Sequence, residues 1–143
     1  MPTTTLEHAI EENHQALGAF PAGDPEPLKA LYSRREDVTL ANPFGPPARG
    51  WSDVASTMER AAEHYRGGRA TGFDHVSLIE TDELACLVEI ERYEARILDA
   101  SEVAPIALRV TTVFRREGGE WLIAHRHADT TVTPRPPQVL LGR

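Results

Sequence analysis

Apolar residues recur at every third or fourth position in two stretches of the chain, and this spacing predicts amphipathic helices. The first helix is expected to begin with a capping box formed by Thr4 and Glu7, and its apolar face carries Leu6, Ile10, Leu17 and Phe20. A short second helix is expected after Asp24, because aspartate is a good N-cap and proline is tolerated at the first helical position. A third helix is predicted to end at Gly67-Gly68, with an inner face formed by Trp51, Val54, Met58, Ala61 and Tyr65.

The second half of the chain is rich in Val, Ile, Leu and Thr, which predicts strands. Long strands are expected over 73–80, 84–98, 106–116 and 121–132, and a short one over 37–42 precedes the third helix. Turn residues separate the long segments, so consecutive strands are expected to pair antiparallel. Three helices followed by such a meander predict an α+β fold, with a curved antiparallel sheet around the helices. Residues 1–132 are expected to form this single domain, and 133–143 a proline-rich C-terminal arm.

Composition narrows the possible partners. The chain has 143 residues with 15 basic and 22 acidic side chains, which gives a formal net charge of −7. Binding to nucleic acid or to an anionic membrane is not expected, because both need surplus Lys and Arg. The only cysteine, Cys86, cannot form an internal disulfide, and the N-terminus lacks the features of a secretory signal, so a cytoplasmic location is expected. The sequence contains no phosphate-binding loop or similar motif, so no cofactor is expected.

The order of these elements resembles the cone-shaped domain of the nuclear transport factor 2-like superfamily, in particular its SnoaL-like and ketosteroid isomerase-like members. The resemblance covers residues 4–132, and one specific part is the pattern Gly-x-Trp-x-Ile-x-His-x-His, which runs from Gly119 to His127. It implies a mostly apolar pocket between sheet and helices, open beside the loop after the first strand. Such a pocket suits a small hydrophobic molecule. The resemblance also implies a homodimer formed through the outer face of the sheet.

Strand alternation and the resemblance together suggest which side chains face this pocket. One face of the last strand carries Trp121, Ile123, His125, His127 and Asp129, and the resemblance implies that this face is concave. On the preceding strand, Arg109 and Thr111 are expected to point the same way, because a mid-strand arginine needs an acidic or anionic partner. Either Glu89 or Glu91 could provide that partner. The other residues expected to line the pocket are Tyr32, Asn42, Phe44 and Trp51.

Three interpretations of His125, His127 and Asp129 are open. Asp129 could orient His127 as a general base. The same residues could supply three ligands to Zn²⁺, although SnoaL-like members often carry His-x-His without a metal, so no metal is expected. They could also form a hydrogen-bonded polar wall without chemistry.

Comparison with ketosteroid isomerase, residue by residue, argues against its mechanism. That enzyme's base is an aspartate directly before a proline, and the matching residue here is Asn42, whose amide cannot abstract a proton. Its oxyanion-hole donors match positions near Gln15 and Thr111, which do not reproduce them.

Two classes of function therefore stay open. One is a cofactor-independent isomerase, cyclase or dehydratase, in which His127 moves a proton, Asp129 sets its tautomer, and Arg109 or Asn42 stabilises an enolate-like oxygen. The other is a ligand-binding or protein-assembly module without chemistry.

Overall fold

The computed structural model describes residues 4–142, so the first residues of the predicted domain and the last residue of the arm lie outside it. The helices are α1 (Leu6–Ala19), α2 (Glu26–Lys29) and α3 (Trp51–Ala62), with 3-10 turns at Phe20–Ala22 and Pro137–Leu141. The strands are β1 (Thr39–Ala41), β2 (Ala48–Arg49), β3 (Tyr65–Glu80), β4 (Leu84–Ile97), β5 (Ala104–Glu117) and β6 (Glu120–Asp129). The predicted α+β fold is confirmed. Within the described residues, no helix is long and apolar enough to cross a membrane.

All six strands form one sheet in the order β2-β1-β6-β5-β4-β3. The four long strands pair antiparallel, as predicted. The sheet differs from the expectation in two details: β2 is an additional strand, and β1 pairs parallel with β6, where Leu40 lies beside Arg126. At the other end of the sheet, β3 pairs with β4 through a register that is interrupted three times along its length.

The core lies between the helices and the inner face of the sheet. Its central side chains are almost fully buried: Leu17, Val54, Met58, Val110, Phe114 and Ile123. Each contributes roughly 1.5–3 kcal/mol relative to full exposure. The alternation of buried and exposed residues along β4 and β5 matches the pleat of half-buried strands.

The third helix ends earlier than its apolar spacing predicts. It stops at Ala62, Tyr65 begins β3, and the two glycines expected to close the helix lie inside that strand. Tyr65 is buried in the strand, and it would also be buried if the helix continued by one more turn. The spacing of apolar residues alone therefore could not distinguish a longer helix from a strand that begins at Tyr65. The start of α1 differs by one residue, because Thr5 is the N-cap and its hydroxyl accepts the His8 N–H at 3.1 Å.

A β-bulge exchanges the two faces of β6 halfway along the strand. Val113 pairs with His125 but Phe114 pairs with Ile123, so Ala124 is an extra residue. Before the bulge, Trp121 and Ile123 face the core as predicted.

After the bulge the faces are the reverse of those predicted. Arg126 and Ala128 point inward, whereas His125, His127 and Asp129 point to the outer side. The prediction that these last three line the concave face is therefore wrong, because it assumed unbroken alternation.

The same correction applies to β5. Its buried residues are Leu108, Val110, Thr112 and Phe114. Arg109 and Thr111 lie on the outer face, opposite Asp129 and His127 of β6. The expectation that Arg109 and Thr111 face the interior is wrong, since Arg109 finds its carboxylate partner on the outer side of the sheet.

Gly68 allows β3 to pass close to its neighbours. A Cβ atom at this position would lie 2.5 Å from the Cβ of Ala95 and 2.7 Å from the Cβ of Pro21. Because both neighbours are held by packed backbone, they have little freedom to move aside.

We expect Gly68→Ala to lower the free energy of unfolding by about 1–3 kcal/mol, because the added methyl group overpacks this contact. Gly72→Ala on the same strand is the matched control, since nothing lies within 4 Å of a Cβ built there. Thermal unfolding followed by circular dichroism measures both. Equal melting temperatures for the two variants would contradict the close approach.

Candidate functional site

An apolar cavity of about 50 Å³ lies between the helices and the inner face of the sheet. Its wall includes Leu17, Met58, Leu108 and Ala128. By the usual volume for buried water, this space holds roughly three or four water-sized groups. The cavity can therefore hold one small ring or a short alkyl group.

The mouth of the cavity lies beside the loop between β1 and β2. Asn42 and Phe44 of this loop border it, and the Asn42 side-chain oxygen accepts the Phe44 N–H at 3.0 Å. Phe44 is half exposed, and its ring centre lies 4.8 Å from that of His64 and 6.2 Å from that of Tyr65. These contacts hold the aromatic ring of Phe44 at the edge of the opening.

A buried ion pair forms the polar part of the cavity wall. Arg126 lines the cavity, and its Nη1 and Nη2 groups donate to the two carboxylate oxygens of Glu91, each at 2.7 Å. Glu91 is 0% exposed and Arg126 8%. The hydroxyl of Tyr93, another lining residue, donates to Glu91 Oε1 at 2.5 Å. Burial opposes the charge on Arg126, but the Glu91 carboxylate raises the pKa of that guanidinium well above its ordinary value.

Tyr32 adds a polar atom that has no partner. The chain after α2 is fixed against β6 by the Ser33 N–H, which donates to the carbonyl of Ile123 at 2.9 Å, and this holds Tyr32 at the cavity wall. Its hydroxyl is buried and makes no hydrogen bond to any residue from 4 to 142. Burial raises the pKa of this phenol, so the hydroxyl stays protonated and can donate. An unpaired buried hydroxyl costs about 1–3 kcal/mol.

The residues predicted to be catalytic form a separate group on the outer face. Arg109 donates to both oxygens of Asp129, at 3.0 and 2.7 Å, and His127 Nε2 lies 3.0 Å from Asp129 Oδ2. The side chains of His127 and Arg109 are 50% and 53% exposed. Partial burial works against ionisation of Asp129, but hydrogen bonds from Arg109, the Thr131 N–H and His127 hold its pKa below the ordinary value. The expected pair of His127 and Asp129 is present, with the sheet between it and the cavity.

The other predicted site residues are divided between the cavity and other places. Tyr32, Asn42 and Phe44 border the cavity, and Glu91 lies behind its wall. The remaining four do not line it: Trp51, Thr111, Trp121 and His125.

Each of these four side chains has other surroundings. Trp51 packs beside Tyr32 under the guanidinium of Arg34, and Trp121 is buried in the core. Thr111 pairs with His127 on the outer face, where His125 Nδ1 lies 2.7 Å from the Thr39 hydroxyl.

Both Glu89 and Glu91 face inward, and neither is the partner of Arg109. Glu89 bonds His14 Nε2 at 2.9 and 3.0 Å, and the His14 ring stacks on Phe73 with 3.9 Å between ring centres. Arg126 lines the cavity, although strand alternation predicted that it points away from it. The sequence does contain a sign of its burial. Ala124 and Ala128 lie two residues before and after it, and small apolar residues at that spacing indicate a buried strand face.

The outer-face histidines do not form a metal centre. One ring nitrogen of each is already bonded, His125 Nδ1 to Thr39 and His127 Nε2 to Asp129. Among residues 4–142, no three His, Cys, Asp or Glu side chains are grouped in a way that could hold a metal ion.

Comparison with known proteins identifies the fold. A family model described as SnoaL-like domain matches residues 9–132. No curated protein matches the sequence significantly.

Three similar solved structures come from bacteria. A structure described as a calcium/calmodulin-dependent protein kinase type II association domain, from Thiobacillus denitrificans, is 24% identical, with a TM-score of 0.69 over 90% of this chain and 97% of that one. A nuclear transport factor 2-like superfamily protein from Salmonella enterica is 15% identical, with a TM-score of 0.72 and 91% of each chain covered. A ketosteroid isomerase-like protein from Erwinia carotovora atroseptica is 18% identical, with a TM-score of 0.71 over 90% of this chain and 95% of that one. At these identities the likeness shows a common fold.

We expect Glu91→Gln to lower the free energy of unfolding by about 3–5 kcal/mol, because it leaves the buried Arg126 charge uncompensated. Glu94→Gln is the matched control, since Glu94 pairs with the exposed Arg69 on the same strand pair. Its expected cost is about 0–1 kcal/mol. Urea denaturation measures both, and a similar loss in the two variants would contradict a special role for the buried pair.

The lowered pKa of Asp129 predicts a pH dependence. A carboxyl group whose pKa is lower in the folded chain stabilises the fold above its unfolded value of about 3.9, and this contribution is lost as the pH falls through the folded pKa. Asp129→Asn should therefore lower the melting temperature at neutral pH, by the equivalent of about 1 kcal/mol or less. The difference from the natural protein should shrink below about pH 4. Asp82→Asn in an exposed turn is the control, and an unchanging difference for Asp129→Asn would count against the assignment.

Proposed function

The chain belongs to the SnoaL-like domain family, and from that premise we propose that it binds one small, largely apolar molecule in its cavity. The observation that carries the proposal is the unpartnered hydroxyl of Tyr32, a residue of a mostly apolar cavity wall. A bound molecule with a hydrogen-bond acceptor near its apolar end would satisfy that hydroxyl. A carbonyl or ether oxygen has this chemistry.

The neighbouring ion pair supports the same interpretation. Glu91 accepts hydrogen bonds from Arg126 and Tyr93, so these three side chains are held in place before any ligand arrives. The surrounding wall consists mostly of apolar side chains such as Leu17 and Leu108. An apolar site with a few fixed polar groups is the usual construction of a small-molecule pocket.

The geometry favours binding over proton transfer by His127 and Asp129. Those residues lie on the outer face, so they cannot reach a molecule in the cavity. Glu91, whose partners line the cavity, is already bonded to a guanidinium and a phenol, and Asn42 at the mouth is not a base. A ketosteroid isomerase-like neighbour does not alter this, because it shares the fold at 18% identity.

The homodimer expected from the resemblance stays a prediction. The outer face of the sheet carries the half-buried apolar side chains of Val88, Ile90 and Val113 beside the Arg109–Asp129 ion pair. A face of this mixed character is suited to association with a second protein surface.

Acetophenone and ethylbenzene are suitable probes for the proposed site, because they share a phenyl ring and differ by a carbonyl oxygen. We expect both to shift NMR signals of cavity residues. Tyr32→Phe should lower the affinity for acetophenone about tenfold, the loss expected for one hydrogen bond. The same variant should change the affinity for ethylbenzene by no more than about twofold.

Two further variants complete the test: Ala128→Val alters the cavity wall, and His127→Ala is the control on the outer face. Ala128→Val should lower the affinity for both probes, because it adds methyl groups to the cavity wall. His127→Ala should leave both affinities unchanged. Absence of binding by either probe to the natural protein, or equal weakening of both by Tyr32→Phe, would overturn the proposal.

A further inference from the structure

A larger depression continues outward from the mouth of the cavity. We call it the outer groove; it has a volume of about 830 Å³ and lies between α3 and the loop from Asn42 to Arg49. It shares Asn42, Phe44 and Ala61 with the cavity. The small volume of the cavity admits one small ring or a short alkyl group, so the remainder of any larger molecule would lie in the outer groove.

The outer groove differs from the cavity in its chemistry. Two arginines, Arg49 and Arg60, border it together with His64 and the hydroxyls of Ser56 and Thr57. Arg60 donates to the Thr57 hydroxyl at 3.3 Å, and within residues 4–142 neither arginine forms a salt bridge. Both guanidinium groups can therefore bind an external oxyanion, which their planar donor pattern fits in a bidentate manner.

Two carboxylates also border the outer groove, so net charge alone does not decide what it binds. Asp53 lies in the first turn of α3, where the helix dipole and free backbone N–H groups offset a negative charge. Glu63 is at the opposite end, at the C-cap of the same helix. At the neck between cavity and groove, the Asn42 oxygen is used by the Phe44 N–H, which leaves its NH₂ group as a donor. Hydrogen-bond donors are therefore present at the neck, on Asn42, and in the outer groove, on Arg49 and Arg60.

We propose that the bound molecule is an amphiphile whose apolar end fills the cavity and whose anionic oxygen group lies in the outer groove against Arg49 and Arg60. A carboxylate, a sulfonate or a phosphate has the required chemistry. The inference rests on the proposed function and adds the ligand class to it.

The test uses three compounds with one skeleton and different head groups: phenylpropionate, phenylpropanol and phenylpropylamine. Their affinities are measured by NMR titration. We expect the acid to bind up to about fivefold more tightly than the alcohol, and the amine to bind most weakly, since an exposed ion pair contributes up to about 1 kcal/mol. Raising the salt concentration from about 50 to 500 mM should lower the affinity for the acid and leave the affinity for the alcohol unchanged.

A double variant identifies the groups responsible. Arg49→Gln with Arg60→Gln should reduce the affinity for the acid to that for the alcohol, without changing the latter. The matched control is Arg69→Gln with Arg92→Gln, which removes the same charge from exposed salt bridges on β3 and β4. This control should leave all three affinities in their original order.

The outcomes separate this inference from the proposed function. If ethylbenzene and the alcohol bind but the acid has no advantage, or if the amine binds as tightly as the acid, the assignment of an anionic ligand is wrong and the cavity site stands. Equal weakening of acid and alcohol by the Arg49 and Arg60 double variant would also overturn it. If none of these compounds binds, the proposed function itself fails.

Discussion

One extra residue in β6, Ala124, decides which polar side chains face the interior of the cone. Side chains alternate along a strand with a period of two, so a single inserted residue exchanges the faces of everything that follows. Through this exchange Arg126 reaches Glu91, while His127 and Asp129 meet Arg109 on the outer face. The strand thus has an apolar inner side in its first half and contributes a charge to the cavity wall in its second.

The buried ion pair is difficult to explain as a source of stability. Removing two charges from water costs several kcal/mol, and apolar residues of similar volume often stabilise a core equally well. The Arg126–Glu91 pair also forms part of the wall of an apolar cavity, beside the unpartnered hydroxyl of Tyr32. Under the proposed function, this rigid polar pair orients the bound molecule, which gives a reason for its presence that packing alone does not supply.

Local patterns in the sequence were sufficient for the presence and order of the helices and long strands, because periodicity and turn residues are properties of short segments, but they did not place the boundary between α3 and β3. They also brought Tyr32, Asn42 and Phe44 to the cavity, through the resemblance to a known cone-shaped fold. The faces after Ala124 could not be predicted, since a bulge depends on how Val113 and Phe114 pair with the neighbouring strand. The parallel pairing of β1 with β6 is likewise a contact between distant segments. Five of the misplaced site residues depended on how distant strands pair: His125, His127, Asp129, Arg109 and Thr111.

The interrupted register of β3 has a consequence for the behaviour of the chain in concentrated solution. This strand is the last in the sheet, so one edge carries backbone groups that no other strand within residues 4–142 covers. A long, flat edge is a template on which further chains can add strand by strand. The three irregularities divide the 16 residues of β3 into short pieces with altered twist. No straight ladder of the full length is presented, and the fold thereby discourages edge-to-edge polymerisation.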